Sequence, residues 1–253
     1  MNKREFLTDA VFFIPAAATL ATLALKADGK EVSAETATHY DPSLHWYGMG
    51  IDVNKCIGCN RCVEACKAEN DVPTEPYFFR TWIERYTIKA NGDTTVECIS
   101  THPGPAKQAE PADPNTVRTF FVPKLCNQCA NPPCVQVCPV GATFQTKDGV
   151  VLVDEKRCIG CRYCIQACPY GARYLNPHTR TAEKCTFCYH RITKGEQPAC
   201  VEVCPTEARI FGDLNKLSDR LVRFQRANDI SVLKPDLNTA PKVRYANLDG
   251  EVR

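Results

Sequence analysis

Apolar and polar positions alternate differently in successive stretches of the chain. Residues 1–34 open on charged Lys3 and Arg4 and continue as an apolar run of 15 residues from Val11 to Leu25. A membrane-spanning helix takes about 20 apolar residues. The run is shorter than that, and with its basic start it has the layout of an export signal, with cleavage near Val32-Ser33-Ala34. An uncleaved anchor and a core or interface helix are the other two readings. Residues 35–46 are polar and read as a linker. Strand-forming residues then predict strands at 47–53, at 77–89 (YFFRTWIERYTIK) and at 119–125. Between the last two, residues 101–114 are rich in proline and alanine and predict a surface loop. Two hairpins are expected, ATFQTKDGVVLVD with its Asp148-Gly149 turn signal, and the shorter ARYLNPHTRTAEK. Leu214, Leu217, Leu221 and Phe224 recur at a helical period and predict a helix over 214–228. From Ile230 onward the chain holds Pro235 and Pro241 and has no periodicity, so the tail is expected to pack extended over a surface of its own or of a partner.

Composition changes this picture at one residue type. Of 253 residues, 17 are cysteine, while the hydrophobic fraction of 44% is ordinary for a globular chain. Much of the interior is therefore expected to be inorganic. Charge adds little: 31 Lys and Arg face 29 Asp and Glu, and no basic tract interleaves with aromatic residues, so nothing electrostatic supports nucleic-acid binding. The formal net charge of +2 counts every thiol as neutral and overstates the positive balance if the thiols are metal-bound thiolates.

The cysteines fall into four groups: Cys56, Cys59, Cys62, Cys66; then Cys126, Cys129, Cys134, Cys138; then Cys158, Cys161, Cys164, Cys168; then Cys185, Cys188, Cys200, Cys204. Only Cys98 is left over, expected as a buried non-ligand. Groups one and three follow the bacterial ferredoxin run C-x2-C-x2-C-x3-C. Groups two and four lengthen its middle step to x4 and x11. Groups two, three and four close on a proline, Pro139, Pro169 and Pro205, where group one has Lys67 and the helix is expected to run on. A disulfide scaffold would be a small secreted domain with irregular spacing. Zinc sites pair C-x2-C knuckles or mix in histidine, yet only His190 of the five histidines lies near a cysteine pair. Scattered buried thiols would not cluster. Four regular runs leave [4Fe–4S] clusters as the reading. Gly58 and Gly160 are expected to let backbone amides approach cluster sulfur, an ordinary turn being the alternative.

The short C-x2-C steps wrap three thiolates around one cluster, and the x3 step carries the fourth cysteine to a neighbouring cluster. Groups two and three, joined by the first hairpin, then form one ferredoxin-like half, and groups one and four pair as the other. The expected ligand sets are Cys56, Cys59, Cys62 with Cys204; Cys66 with Cys185, Cys188, Cys200; Cys126, Cys129, Cys134 with Cys168; and Cys138 with Cys158, Cys161, Cys164. These serve as cofactor-binding and metal ligands at once, and no catalytic residue is expected. The fold class is α+β: two linked bacterial 2[4Fe–4S] ferredoxin-like halves with a small β-rich insertion, a C-terminal helix and an extended tail. Along the chain this divides as 1–34, export signal; 35–75, linker and first group; 76–125, insertion; 126–180, the half with groups two and three; 181–213, the fourth group pairing with 48–75; and 214–253, helix and tail. The aromatic face of the insertion suits a docking surface or a sheet that covers clusters. Lys184, Arg191 and Lys194 near the cluster loops suit tuning, docking or plain solvation.

CIGCNRCVEACKAEN, FFVPKLCNQCANPPCVQVCPVGAT, DEKRCIGCRYCIQACPYGARY and AEKCTFCYHRITKGEQPACVEVCP together resemble the four-cluster iron–sulfur (beta) subunit of the dimethyl-sulfoxide-reductase superfamily, of the polysulfide and tetrathionate reductase type, over residues 48–250. The resemblance implies an electron-transfer subunit, not itself an enzyme, that carries four [4Fe–4S] clusters between a membrane quinone-binding anchor subunit and a molybdopterin catalytic subunit. Some relatives replace a group-two ligand with tryptophan and hold a [3Fe–4S] cluster; here Cys129 fills that position. Lys3-Arg4-Glu5-Phe6-Leu7 resembles a twin-arginine signal in a Lys-Arg variant, which implies a periplasmic location. A free-standing exported polyferredoxin and an iron–sulfur enzyme in its own right are the alternatives. Against the latter, there is no nucleotide-binding glycine loop and no radical-type C-x3-C-x2-C group.

Overall fold

The computed structural model describes residues 40–74, 78–101 and 114–252. The expected export signal, its cleavage site, most of the linker and the body of the proline-rich loop lie outside the described residues. In chain order the elements are β1 (Tyr47–Asp52), α1 (Arg61–Glu69), β2 (Thr81–Lys89), β3 (Thr94–Cys98), β4 (Thr116–Leu125), α2 (Pro133–Gln136), β5 (Thr143–Gln145), β6 (Val151–Val153), α3 (Tyr163–Gln166), β7 (Tyr174–Leu175), β8 (Ala182–Glu183), α4 (Tyr189–Ile192), α5 (Ala199–Glu202), β9 (Arg209–Asp213), α6 (Arg220–Ala227), β10 (Ile230–Ser231) and β11 (Val243–Ala246).

All six residues of β1 are buried, as a strand with partners on both edges and cover on both faces must be. It lies inside a four-stranded sheet ordered β10-β11-β1-β9. β9 runs antiparallel to it, with Met49 opposite Phe211, which holds the end of group four beside the start of group one. β11 runs parallel to it, with Ile51 opposite Tyr245. The C-terminal tail therefore completes the sheet of its own chain. Val243, Tyr245 and Ala246 are fully buried, and the Tyr245 hydroxyl donates to the Pro123 carbonyl at 3.1 Å. Both hairpins form, as β5-β6 and β7-β8.

The insertion is a three-stranded antiparallel sheet in which β2 lies between β3 and β4. Thr81 and Ile83 are buried with the partly exposed Trp82 between them, the alternation of a half-buried strand, and Tyr86 is buried on the opposite face. β3 was not expected, although Asn91-Gly92 beside it is a hairpin turn signal. Cys98 ends this edge strand and is half-buried, which corrects the expectation of a buried thiol. The C-terminal helix is also shorter than its period implies. Asp213 accepts from the Asn215 N–H at 3.0 Å and turns the chain, and Asp219 caps the helix by accepting from Leu221 N–H at 2.8 Å. Leu217 thus stands in the turn, 69% exposed, while Leu221 is fully buried. No helix of the described residues is long and apolar enough to cross a membrane.

Candidate metal centres

Each cysteine group is a loop that bends inward at its C-x2-C step. The residue before the second cysteine is left-handed in all four: Gly58, Gln128, Gly160 and Phe187, with φ of 69°, 45°, 67° and 55°. The bend turns backbone N–H groups toward sulfur, and Phe187 N–H lies 3.4 Å from Cys185 Sγ. Space as well as φ requires glycine at two of them. A Cβ would stand 2.7 Å from the Phe121 ring at Gly58 and 2.6 Å from the Arg180 carbonyl oxygen at Gly160. Gln128 and Phe187 take the same bend because their side chains are locked. Gln128 Nε2 donates to the Cys185 carbonyl at 2.6 Å, and its Oε1 accepts from Val151 N–H at 2.7 Å. Phe187 is fully buried, edge-on to Phe211 with ring centroids 5.4 Å apart.

Short helices follow. α2, α3 and α5 carry Cys134, Cys164 and Cys200, and the closing cysteine comes just after each helix. The proline after it prevents continuation. Group one, with Lys67 in that place, continues as α1 to Glu69. Beyond the prolines a second repeat appears: a left-handed residue, Gly141, Gly171 or Glu207, then a buried alanine, Ala142, Ala172 or Ala208.

Two cavities are lined by cysteines from different groups. Cys66, Cys185, Cys188 and Cys200 border one, beside Asn70 and Phe187. Cys126, Cys129, Cys134 and Cys168 border the other, beside Tyr170 and Arg173. Elsewhere, burial pushes the Cys56 thiol up to about 11, and the thiols of Cys62 and Cys204 reinforce the shift while the nearby Arg209 and a Gly58 N–H oppose it. Cys134 and Cys164 share a small apolar cluster against which Cys158 packs. Cys138 is half-buried and Cys161 is exposed. Cys59 is half-buried in its loop between Cys56 and Cys62.

The chemistry of this donor set fits [4Fe–4S] clusters. Burial likewise raises Cys129 to about 12 and Cys200 to about 11, with neighbouring thiols adding to both. Thiols packed in this way ionise together when a cationic centre lies among them. Hydrogen-bond donors already surround the sulfurs. Asn70 Nδ2 is 3.6 Å from both Cys66 and Cys188 Sγ; Thr143 N–H is 3.5 Å from Cys138 Sγ and Ala182 N–H 3.4 Å from Cys158 Sγ. For Cys138, burial raises the thiol, but N–H groups of Thr143, Val140 and Ala142 outweigh it and leave the thiol below its usual value. Among the described residues no three of His, Cys, Asp or Glu converge tightly enough for a single metal ion.

Sequence reasoning missed several neighbours of these loops. Gln128 and Asn70 carry no motif and become visible only through contacts, while Arg173 and Arg209 stand at the same step after a closing cysteine and only the fold shows that they are buried. Lys184 is not solvated: it is 1% exposed and donates to the Val151 and Cys185 carbonyls. Arg191 pairs with Glu69 at 2.9 Å, and Lys194 is exposed.

Two models of the 4Fe-4S dicluster domain match the chain, at residues 55–142 and 117–214, and together span all four groups. Tetrathionate reductase of Salmonella typhimurium has a subunit that is 41% identical over 98% of this chain and 89% of its own length. Polysulfide reductase of Wolinella succinogenes has a component that is 38% identical over 78% of this chain and 92% of its own. A thiosulfate reductase electron transfer subunit of Salmonella typhi is 44% identical over 67% of this chain and 77% of its own. With two linked ferredoxin-like halves and the [4Fe–4S] clusters that the dicluster domains carry, the chain belongs to the iron–sulfur beta subunits of the dimethyl-sulfoxide-reductase superfamily of molybdenum oxidoreductases, of the tetrathionate and polysulfide reductase type.

Proposed function

We propose that this chain is the electron-transfer subunit of a respiratory oxidoreductase and that its four [4Fe–4S] sites stand in a line. The ligand sets are Cys56, Cys59, Cys62, Cys204 (first site); Cys66, Cys185, Cys188, Cys200 (second); Cys126, Cys129, Cys134, Cys168 (third); and Cys138, Cys158, Cys161, Cys164 (fourth). When bound, the clusters supply one-electron transfer. The chain's own residues hold them in order and exclude water from the middle.

The observation that carries this reading is how neighbouring sites touch. Helix α1, which carries Cys62, packs against α5, which carries Cys200, linking first to second. Gln128, between Cys126 and Cys129, donates to the Cys185 carbonyl at 2.6 Å, linking second to third. Cys134 and Cys164 share one apolar cluster, linking third to fourth. These links join first to second, second to third and third to fourth, the order in which electrons step from one end to the other.

The chain is the non-catalytic member of its complex, in keeping with its likeness to a relative named an electron transfer subunit. Its catalytic partner is a molybdopterin subunit, and a membrane quinone-binding anchor serves the other end. Residues 1–34 export the chain, which places it on the periplasmic side, held to the membrane through its partner. Anaerobic purification from the native host, with metal analysis and EPR, tests this. About sixteen iron and sixteen sulfide per chain, with molybdenum or tungsten in a co-purifying large subunit, is the expected result. Full cluster content without a partner leaves a free-standing polyferredoxin. Zinc without iron overturns the reading.

A further inference from the structure

Groups three and four each place an arginine at the same step after the closing cysteine, in CPYGAR and CPTEAR, where group two has CPVGAT. These residues are Arg173 and Arg209, 5% and 2% exposed. A guanidinium so buried ordinarily has a carboxylate partner. Among the described residues neither has one. Arg173 Nη2 donates to Cys134 Sγ at 3.0 Å, and Nη1 reaches Thr143 Oγ1 at 3.4 Å. Its charge acts on Cys134 and Cys126 of the third site and on Cys164 of the fourth. Arg209 Nη2 donates to Thr81 Oγ1 at 2.8 Å, while Nη1 is buried without a partner. Thr81 itself borders the cavity of the second-site cysteines, and Arg209 closes the CPTEAR run that begins at Cys204 of the first site, so its charge falls on Cys62, Cys56 and Cys200. The two halves thus repeat one arrangement: among the described residues, a dry cation between two sites that meets cysteine sulfur and hydroxyl groups rather than a carboxylate.

A buried cation without a carboxylate is costly unless an anion stands beside it. Four thiolates around a [4Fe–4S] core supply that anion, and one further electron makes it more negative. Resting on the four-site reading above, we infer that Arg173 and Arg209 are potential-setting residues, each the shared counter-charge of both clusters in its own half. Each favours the reduced state of its two clusters and raises both potentials. The unpartnered Nη1 of Arg209 is the donor that the bound cluster satisfies.

Potentiometric EPR on the intact complex tests this, with the glutamine and lysine variants of each arginine. The iron content of the unsubstituted complex is measured first; a value well below about sixteen per chain refutes the four-site reading and leaves the role of the arginines a separate matter of potential at whichever clusters remain. R209Q should lower the potentials of the first and second clusters, each by about tenfold in its reduction equilibrium, which is ~59 mV for one electron. The third and fourth clusters should not move. R173Q should do the reverse. R209K and R173K, which keep the charge, should stay close to the unsubstituted potentials. The inference is overturned if the glutamine variants keep all clusters at unchanged potentials, if all four clusters shift together, or if lysine shifts them as far as glutamine. It is equally overturned if both variants at one position lose their clusters, since the arginine then serves assembly alone. Should only a glutamine variant lose clusters, its lysine counterpart decides by whether its potentials hold.

Discussion

Gly160 and Gly141 are both left-handed, with φ of 67° and 62°, but they meet different surroundings. A Cβ at Gly160 would press on the Arg180 carbonyl at 2.6 Å, whereas nothing lies within 4 Å of one at Gly141. Gly141→Ala should therefore cost only backbone strain, about 1–2 kcal/mol, while Gly160→Ala should cost clearly more and lower the anaerobic melting temperature further. Equal losses would mean that the Arg180 carbonyl gives way freely. A second residue-scale prediction concerns the crossover. Cys204→Ser should remove or convert the cluster of Cys56, Cys59 and Cys62, and leave the one held by Cys185, Cys188 and Cys200 intact by EPR. Loss of the latter would refute the ligand sets. At this scale the chemistry is legible where residue type and conformation coincide, as at Gly58 and Gly160. It is hidden where a bulky residue is forced into the same bend, as Gln128 and Phe187 are, because burial and tertiary hydrogen bonds hold them there. Arg173 and Arg209 are hidden for a related reason: an arginine in sequence reads as surface, and only packing reveals a dry one.

Among the elements, strands with one wet face announce themselves and strands with none do not. β2 alternates over its first residues, and its aromatic and β-branched residues make the rest evident. β9 is buried throughout and β11 at all but one position, so neither carries a period to detect. That is why the tail after Ile230 looks featureless and yet supplies an inner strand of the central sheet. α6 shows the opposite error, since Leu214 and Leu217 keep its period while Asp213 and Asp219 set a turn before it. The burial of β11 makes a prediction about stability. Tyr245→Ala removes a fully buried aromatic ring from the junction of β11 with β4 and should cost about 3–5 kcal/mol. Tyr245→Phe loses only the hydroxyl bond to the Pro123 carbonyl and should cost about 1 kcal/mol. Anaerobic melting of the cluster-loaded subunit measures both. If alanine is tolerated as well as phenylalanine, the tail contributes little to the sheet and can be removed.

Across the whole molecule, protection of the cysteines is uneven, and the unevenness follows the proposed line of sites. All four cysteines of the second site are buried. They lie beneath β1 and β2, among Met49, Thr81 and Phe187. The fourth site is the opposite: Cys161 is exposed, Cys138 and Cys158 are half-buried, and the apolar Ile159 and Tyr163 beside them are 65% and 57% exposed. The first site, with Cys56, Cys59 and Cys204 half-buried, stands between these extremes. The sequence contains the cysteine spacing but not this gradient, since β1 and β2, which bury the second site, are far in sequence from its Cys185, Cys188 and Cys200 and meet them only in the fold. Oxidants and iron chelators reach a cluster through solvent. In the isolated subunit under limited oxygen or a slow chelator, the fourth cluster should disappear first, the first and third next, and the second last. EPR signals followed against iron release would give the order. A face that exposes both a cluster ligand and large apolar side chains is also the end at which a partner must approach closely for an electron to leave. Inside the intact complex the fourth cluster should lose its early vulnerability and decay with the others. If the isolated subunit loses its second cluster first, the ligand sets are wrong. If the complex leaves the fourth cluster as vulnerable as before, that end of the line is not a docking end, and the electron must enter and leave elsewhere.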